Sequence, residues 1–145
     1  MFKKLKSVFE AKIETVSANF NTLQIAISCL MIQTAVHDGQ FDEVEKNKIL
    51  ELLKDYFKLN KNEIDSLFIT AMKANDDSND IHQFTRLLNK NLSEEEKLKI
   101  IEMMWQIIIA DNHIDDYESN LIRKISGLLY LKDQDVGNIK KQLTS

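Results

Sequence analysis

Residues 22–45, TLQIAISCLMIQTAVHDGQFDEVE, decide the fold of this chain. The first part of the stretch carries apolar side chains on nearly every face of a helix, and a helix of that kind is buried. The second part contains a turn signal, Asp38-Gly39, followed by Asp42 and Glu45 in the N-cap-x-x-Glu pattern that opens a new helix. The stretch therefore predicts a buried helix, a tight acidic turn and a second, capped helix.

The same pattern returns 73 residues later, in residues 98–118, LKIIEMMWQIIIADNHIDDYE. An apolar helix again precedes an acidic turn. In this turn Asn112 stands in the position of Gly39, and asparagine is the next most tolerant residue for a left-handed backbone. Asp115 then caps the following helix. We therefore predict two repeated helix–Asp-Gly–helix units, most simply packed with pseudo-two-fold symmetry.

The rest of the chain also shows helical spacing of apolar residues. Residues 1–19 have the pattern of an amphipathic N-terminal helix, residues 20–73 form the first repeat and residues 80–143 the second, with a polar loop predicted at 74–80. The chain has no proline and three glycines, which fits helices joined by short turns because these residues serve sharp turns and loops. The predicted fold is an all-α, compact bundle of about seven to eight helices in one domain over residues 1–145.

Charge and cysteine content exclude several classes of function. The net charge of −4 and the pI near 5.4 predict no nucleic-acid partner, since such binding needs a basic surface. The single Cys29 lies in an apolar run and predicts a buried thiol in a reducing, cytoplasmic protein. No apolar run is long enough to cross a bilayer. Residues 1–12 are lysine-rich, but Glu10 and Glu14 interrupt the pattern, so we expect packing on the core rather than peripheral membrane contact.

Carboxylates occupy corresponding positions of the two turns, and they are the candidate metal ligands: Asp38, Asp42, Glu45, Asp111, Asp115 and Glu118. Two interpretations stay open. As caps and capping boxes, four of them are explained by helix starts alone. Asp38 and Asp111 instead face the negative end of a helix dipole, and either the free N–H groups at the start of the next helix or a bound cation would offset that cost. Carboxylate oxygens suit Ca²⁺ or Mg²⁺ rather than Zn²⁺.

Other site types fit the sequence less well. The turn matches the second half of an EF-hand loop, but the first ligand positions would fall on Thr34 and Val36 inside an apolar helix. Cys29 and the histidines match no usual zinc spacing. There is no phosphate loop or nucleophile elbow, so we expect no enzyme. Trp105 lies on the second apolar helix and is assigned to the core.

Further segments suggest a family. The chain contains His82-Gln-Phe-Thr-Arg-Leu-Leu-Asn89, Leu92-Ser-Glu-Glu-Glu96 and Ile101-Glu-Met-Met-Trp105. With the two acidic turns, these segments resemble the TerB-like domains of tellurite-resistance protein B, in particular their bacterial stand-alone members. The resemblance implies an all-helical domain whose acidic face has been proposed to bind divalent metal and for which no enzymatic activity is established. Relatives are linked to tellurite and other chemical stress or accompany J-domain co-chaperones.

The sequence thus supports two leading hypotheses of function. The first is a non-enzymatic binding module of the stress response that holds a divalent cation on its two acidic turns. The alternative is a metal-free protein-interaction or co-chaperone-type adaptor domain, with an unknown protein or a second copy of the chain as partner. In the metal-free hypothesis Arg86 is a buried anchor that pairs with a carboxylate of the turns. A hydrolase using the acidic face is a distant third hypothesis.

Overall fold

The computed structural model describes residues 20–36, 42–77, 80–110 and 116–144. Within these ranges every secondary-structure element is a helix and there is no strand, so the predicted all-α class is confirmed. The predicted N-terminal helix over residues 1–19 lies outside the described ranges. No helix of the described part is both long and apolar enough to cross a membrane. The helices are α1 (Thr22–Ala35), α2 (Glu43–Phe57), α3 (Lys61–Asp77), α4 (Ile81–Asn91), α5 (Glu94–Ile109), α6 (Asp116–Leu128) and α7 (Asp133–Thr144).

Helix α1 lies at the centre of the bundle, where it packs against α2, α3, α4, α5 and α6. Its apolar side chains on all faces find partners there, and Ile25, Leu30 and Met31 are fully buried. Complete burial of such a side chain stabilises the fold by about 1.5–3 kcal/mol. The absence of a polar face on α1 is therefore the sequence feature that places it in the core.

Helix α5 is the second apolar helix, and it packs against α1, α2, α6 and α7. The packing crosses between the two units: α2 contacts α5, and α6 contacts α1. Each capped helix therefore touches the apolar helix of the other unit as well as its own, and the buried residues form one continuous core. The pseudo-two-fold relation and the repeat boundaries stay predictions.

Two predicted helix starts are confirmed by complete capping boxes. At α3, Asn60 Oδ1 accepts from the Glu63 backbone N at 2.8 Å, and Glu63 Oε1 accepts from the Asn60 backbone N at 2.9 Å. At α5, Ser93 Oγ and Glu96 Oε1 make the same reciprocal pair, at 3.2 and 2.8 Å. Each N-cap contributes about 1 kcal/mol to helix stability. These bonds set where the helices begin.

The ends of α2 and α6 share one geometry. Each helix is followed by a left-handed residue that is not glycine, Lys58 (φ 56°) and Tyr130 (φ 60°). In both places the next amide donates to a carbonyl five residues earlier, from Leu59 to Lys54 at 2.9 Å and from Leu131 to Ser126 at 3.1 Å. This is the Schellman arrangement of a helix end. It turns the chain sharply and sends α3 and α7 back along the bundle.

The predicted polar loop at 74–80 is wrong over its first half, because α3 continues to Asp77. Asn75 is only 8% exposed, and its Oδ1 accepts from Gln33 Nε2 at 2.9 Å. Its Nδ2 donates to the Cys29 carbonyl at 3.3 Å. These bonds to α1 satisfy the asparagine amide inside the bundle. The polar side chains of this segment favour a loop when they are considered alone. The bonds that keep Asn75 in a helix come from α1, and a local sequence pattern contains no information about them.

Candidate functional site

The structure describes three of the predicted site carboxylates, Asp42, Glu45 and Glu118. The other three, Asp38, Asp111 and Asp115, lie outside the described residues. The described three stand at the starts of α2 and α6, immediately after the two acidic turns. They therefore show the environment of the first helical turn after each acidic turn.

Asp42 is the N-cap of α2, as predicted. Its backbone is extended (φ −75°, ψ 135°), and its Oδ1 accepts from the Val44 backbone N at 2.8 Å. The Asp42 side chain is exposed. One oxygen of this carboxylate is thus used by the protein's own amide, and the side chain as a whole remains accessible to solvent.

Glu45 and Glu118 are buried, each with 4% of its surface exposed. Each is the third residue of its helix, the position that Glu63 and Glu96 occupy in α3 and α5. Glu63 and Glu96 complete capping boxes and are exposed. The capping role therefore does not require burial, and a second cause must hold the two motif glutamates inside.

The burial follows from helical periodicity. In α2 the buried positions are Glu45, Ile49 and Leu53, which are spaced by one helical turn. In α6 the corresponding stripe consists of Glu118, Ile122 and Ser126. Each glutamate is thus the first residue of the stripe that faces α1 and α5. Burying a carboxylate is costly unless hydrogen bonds, an opposite charge or a metal ion compensates for the lost water.

Residues that flank the two turns meet at one cleft of about 480 Å³, which we name the inter-turn cleft. Val44, two residues after Asp42, lies on one wall at the start of α2. Ala110, which directly precedes Asp111, lies on the other wall at the end of α5. The remaining lining residues are Asn47, Lys48, Glu51, Gln106, Ile109 and Leu143. The flanks of both acidic turns therefore share one end of the bundle.

The charges on the rim of the inter-turn cleft are partly matched. Lys48 Nζ lies 3.6 Å from Glu51 Oε1, one helical turn along α2. Such a partly exposed pair contributes little to stability, about 0–1 kcal/mol. Lys46 is directed elsewhere, with its Nζ 5.6 Å from the centre of the Phe68 ring. The positive side chains of α2 for which contacts are described are thus held at neighbouring groups.

Cys29 and the histidines do not form a zinc site in the described part of the chain. Burial raises the pKa of the Cys29 thiol far above its usual value, and its Sγ donates to the Ala71 carbonyl at 3.6 Å. Zinc needs the thiolate. His82 is exposed at the start of α4, and His37 and His113 lie outside the described ranges. Within those ranges no three side chains of His, Cys, Asp or Glu come together as a metal site; Asp38, Asp111 and Asp115 lie outside them.

Arg86 is exposed on α4, so the predicted burial of this arginine is wrong, while its pairing with a carboxylate of the turns stays a prediction. Its apolar sequence neighbours lie on the other face of the helix: Phe84, Leu87 and Leu88 are buried. Sequence reasoning also missed a second cleft, where Trp105 borders polar residues of α6 and α7. The signal for it was a polar stripe at i, i+4 and i+7 of α6, formed by Ser119, Arg123 and Ser126.

Comparison with known proteins adds one finding. The family model described as tellurite resistance protein TerB matches residues 24–141. The matched span covers most of the chain, including both acidic turns and the inter-turn cleft up to α7. No curated protein and no solved structure matches the chain.

Proposed function

The chain belongs to the TerB family of tellurite resistance proteins, and from this premise we propose that it is a non-enzymatic binding module whose two acidic turns hold a divalent cation. The observation that carries the proposal is the burial of Glu45 and Glu118, each 4% exposed, at equivalent places beside the turns. The proposed ligands are Asp38, Asp42, Glu45, Asp111, Asp115 and Glu118.

The contrast with ordinary caps supports this proposal. Four glutamates stand at the third position of a described helix, and the two that complete capping boxes, Glu63 and Glu96, are exposed. The two in the acidic turns are buried, where a charge requires compensation. The partial positive charge of a helix N-terminus supplies some of it. A divalent cation bound by several carboxylates would supply more, because it neutralises them together.

The inter-turn cleft supports a site shared by both turns. Its walls are the start of α2 and the end of α5, so Val44, two residues after Asp42, and Ala110, next to Asp111, border one space. A shared site can draw on more than three carboxylates, and a Ca²⁺ ion takes six to eight oxygen ligands. Mg²⁺ would keep several waters in such a site. We propose Ca²⁺ or Mg²⁺ rather than Zn²⁺ because the ligands offered are oxygen atoms.

Exposed apolar side chains favour a second candidate function, a metal-free protein-interaction or adaptor domain. Val44 is 47% exposed and Tyr117 is 58% exposed, although both are large hydrophobic residues. Each is the second residue of a capped helix, directly beside an acidic turn. Exposed apolar side chains beside both acidic turns suit contact with a protein partner or a second copy of the chain.

Thermal unfolding in chelated buffer and with Ca²⁺, Mg²⁺, Mn²⁺ or Zn²⁺ tests the cation proposal. An ion at 100 times its Kd should raise the free energy of unfolding by about 2.7 kcal/mol. Asp38→Asn and Asp111→Asn should remove that gain. Asp55→Asn, an exposed aspartate of α2 away from the turns, is the matched control and should keep it.

Absence of any shift with all four ions would reject the cation proposal and leave the interaction domain. Sedimentation velocity then tests that second candidate on the full chain. A Val44→Ser, Tyr117→Ser double variant should reduce self-association or binding of a partner, while Ile69→Ser, an exposed apolar residue of α3, should not.

A role in tellurite or chemical stress is the biological part of the proposal. Its support is the family to which the chain belongs. Growth of a deletion strain on tellurite, complemented with the unsubstituted chain or with the Asp38→Asn, Asp111→Asn double variant, tests it. Equal protection by both chains would separate the stress role from the acidic turns.

A further inference from the structure

A second cleft, of about 330 Å³, lies between α6 and α7, and Trp105 of α5 forms its buried end. We name it the Trp105 cleft. The residues that matter for its chemistry are Trp105, Ser119, Arg123, Asp133, Gly137 and Lys140. None of them belongs to the acidic turns, so the inference drawn from this cleft stands independently of the cation proposal.

The Trp105 side chain holds an unused hydrogen-bond donor. The residue is 4% exposed, and its buried Nε1 makes no hydrogen bond to any part of the chain that the structure describes. A buried tryptophan N–H normally has an acceptor, and leaving it without one is costly. The indole N–H can only donate. The group that would satisfy it is therefore an oxygen atom of a ligand.

The charges that line the Trp105 cleft favour an anion. Lys140 Nζ lies 5.0 Å from the centre of the Trp105 ring, and Arg123 is exposed on α6. Neither Arg123 nor Lys140 makes an ion pair with another residue of the described ranges. Asp133 is the carboxylate on the lining. Two positive groups and one negative group leave a net positive charge.

The two helices present matching polar stripes to the cleft. Ser119 and Arg123 are one turn apart on α6, and Asp133, Gly137 and Lys140 are spaced by successive turns on α7. Gly137 has no packing constraint, because a Cβ added there would meet nothing within 4 Å. The absence of a side chain at this position keeps one wall of the cleft low and leaves the approach to Trp105 open.

We propose that the Trp105 cleft binds a small ligand through an anionic oxygen group. The indole N–H and the Ser119 hydroxyl donate to the oxygens, and Arg123 and Lys140 provide the positive charge. Because Nε1 has almost no accessible surface, the proposed contact requires side chains at the cleft to move when the ligand binds. Two classes of ligand carry such an anionic oxygen group, an organic carboxylate and an inorganic oxyanion such as phosphate or tellurite.

Intrinsic fluorescence tests the proposal directly because Trp105 is the single tryptophan of the chain. The full chain is titrated with sodium phosphate, sodium tellurite and sodium butyrate at constant ionic strength, with sodium chloride as the blank. A saturable change in emission with at least one of the three is the expected result. Saturation by butyrate alone identifies a carboxylate ligand, and saturation by phosphate or tellurite alone identifies an inorganic oxyanion. No saturable change with any of the three overturns the proposal.

Substitutions locate the binding. Lys140→Gln should raise the Kd by at least about ten-fold, because a charged hydrogen bond is lost. Gly137→Leu should fill the cleft and abolish saturation. Gly127→Leu is its matched control: it lies on α6 outside the cleft lining, and an added Cβ there also meets nothing within 4 Å. Asp133→Asn should lower the Kd by about two- to five-fold through loss of a repulsive charge.

Circular dichroism confirms that each variant is folded before its titration is interpreted. Equal Kd values for Gly137→Leu and Gly127→Leu would overturn the assignment to the Trp105 cleft. Weaker binding in Asp133→Asn would contradict the proposed sign of the ligand charge. Fluorescence changes that scale with ionic strength alone, in chloride as in the other salts, would also reject a specific site.

Discussion

Replacement of Glu45 and Glu118 by glutamine, singly and together, tests the cation proposal at the two buried carboxylates of the proposed ligand set. Glutamine keeps the size of the side chain and one oxygen atom but removes the charge that a hard cation requires. Both positions are 4% exposed, so a cation held by them is bound by the folded chain and released on unfolding. We expect each single variant to weaken the cation-induced stabilisation and the double variant to abolish it.

The size of the effect follows from linkage between binding and folding. A cation at 100 times its Kd adds about 2.7 kcal/mol to the free energy of unfolding. For a chain of 145 residues, that gain raises Tm by about 5–11 °C. The shift is taken within each variant, as Tm with the cation minus Tm in chelator. Any effect of the substitution on the metal-free protein therefore cancels.

The assay is thermal unfolding followed by circular dichroism, and the chain provides its own controls. Glu63 and Glu96 stand at the same helix position but are exposed. Glu63→Gln and Glu96→Gln remove a capping carboxylate without touching the acidic turns, so they should keep the full cation-induced shift. A full shift in the Glu45→Gln, Glu118→Gln double variant would refute the reasoning, as would an equal loss of shift in the two control variants.

Three further outcomes follow from the described contacts. Phe84→Ala should lower the free energy of unfolding in urea by about 3–5 kcal/mol because Phe84 is fully buried, whereas Ile69→Ala, at an exposed site, should change it by less than about 0.5 kcal/mol. Hydrogen bonds from the Ser93 backbone and side chain hold the pKa of Glu96 below its ordinary value of 4.5. The contribution of the ionised Glu96 carboxylate to the free energy of unfolding is therefore present above that pH and is lost as the pH falls through the lowered pKa. The urea midpoint should fall less steeply between about pH 6 and about pH 3 in Glu96→Gln than in the unsubstituted chain. Burial raises the pKa of the Cys29 thiol, so alkylation of Cys29 by iodoacetamide should proceed only at the rate of unfolding, and fast labelling of the folded protein would contradict this.

The helices could be predicted from the sequence because their signals are local. The apolar residues of α1 and α5 indicate that both helices are largely buried, and the Asn60 and Ser93 capping boxes indicate where α3 and α5 begin. The structure confirms these assignments. Each depends only on residues within a few positions of one another, which a sequence pattern contains in full.

Features that depend on contacts between distant segments could not be predicted. Asn75 looks like a loop residue but is held in α3 by partners in α1. Arg86 has apolar neighbours in sequence but lies on the opposite, exposed face of α4. In both cases the deciding partner or face is set by packing, to which propensity contributes only weakly.

The residue types of the candidate site could be predicted from the sequence, but whether each side chain is buried or exposed could not. Glu45 and Glu63 have the same local signature, a glutamate three residues after an N-cap, yet one is buried and the other exposed. The difference arises because Glu45 begins the stripe of α2 that faces the core, while Glu63 precedes the stripe of α3. The Trp105 cleft was missed for a related reason: its lining residues come from three helices and acquire their joint meaning only when the helices pack.

The central position of α1 has a consequence for how the protein is made. It is the first described helix to leave the ribosome, yet its surface is covered by helices as distant as α6, which ends at Leu128. Until α6 has been synthesised, part of the apolar surface of α1 therefore lacks its packing partner. Exposed apolar surface of this kind promotes aggregation and is one reason why chaperones are needed. A chain truncated within α5 would lack the contacts that α6 makes with α1.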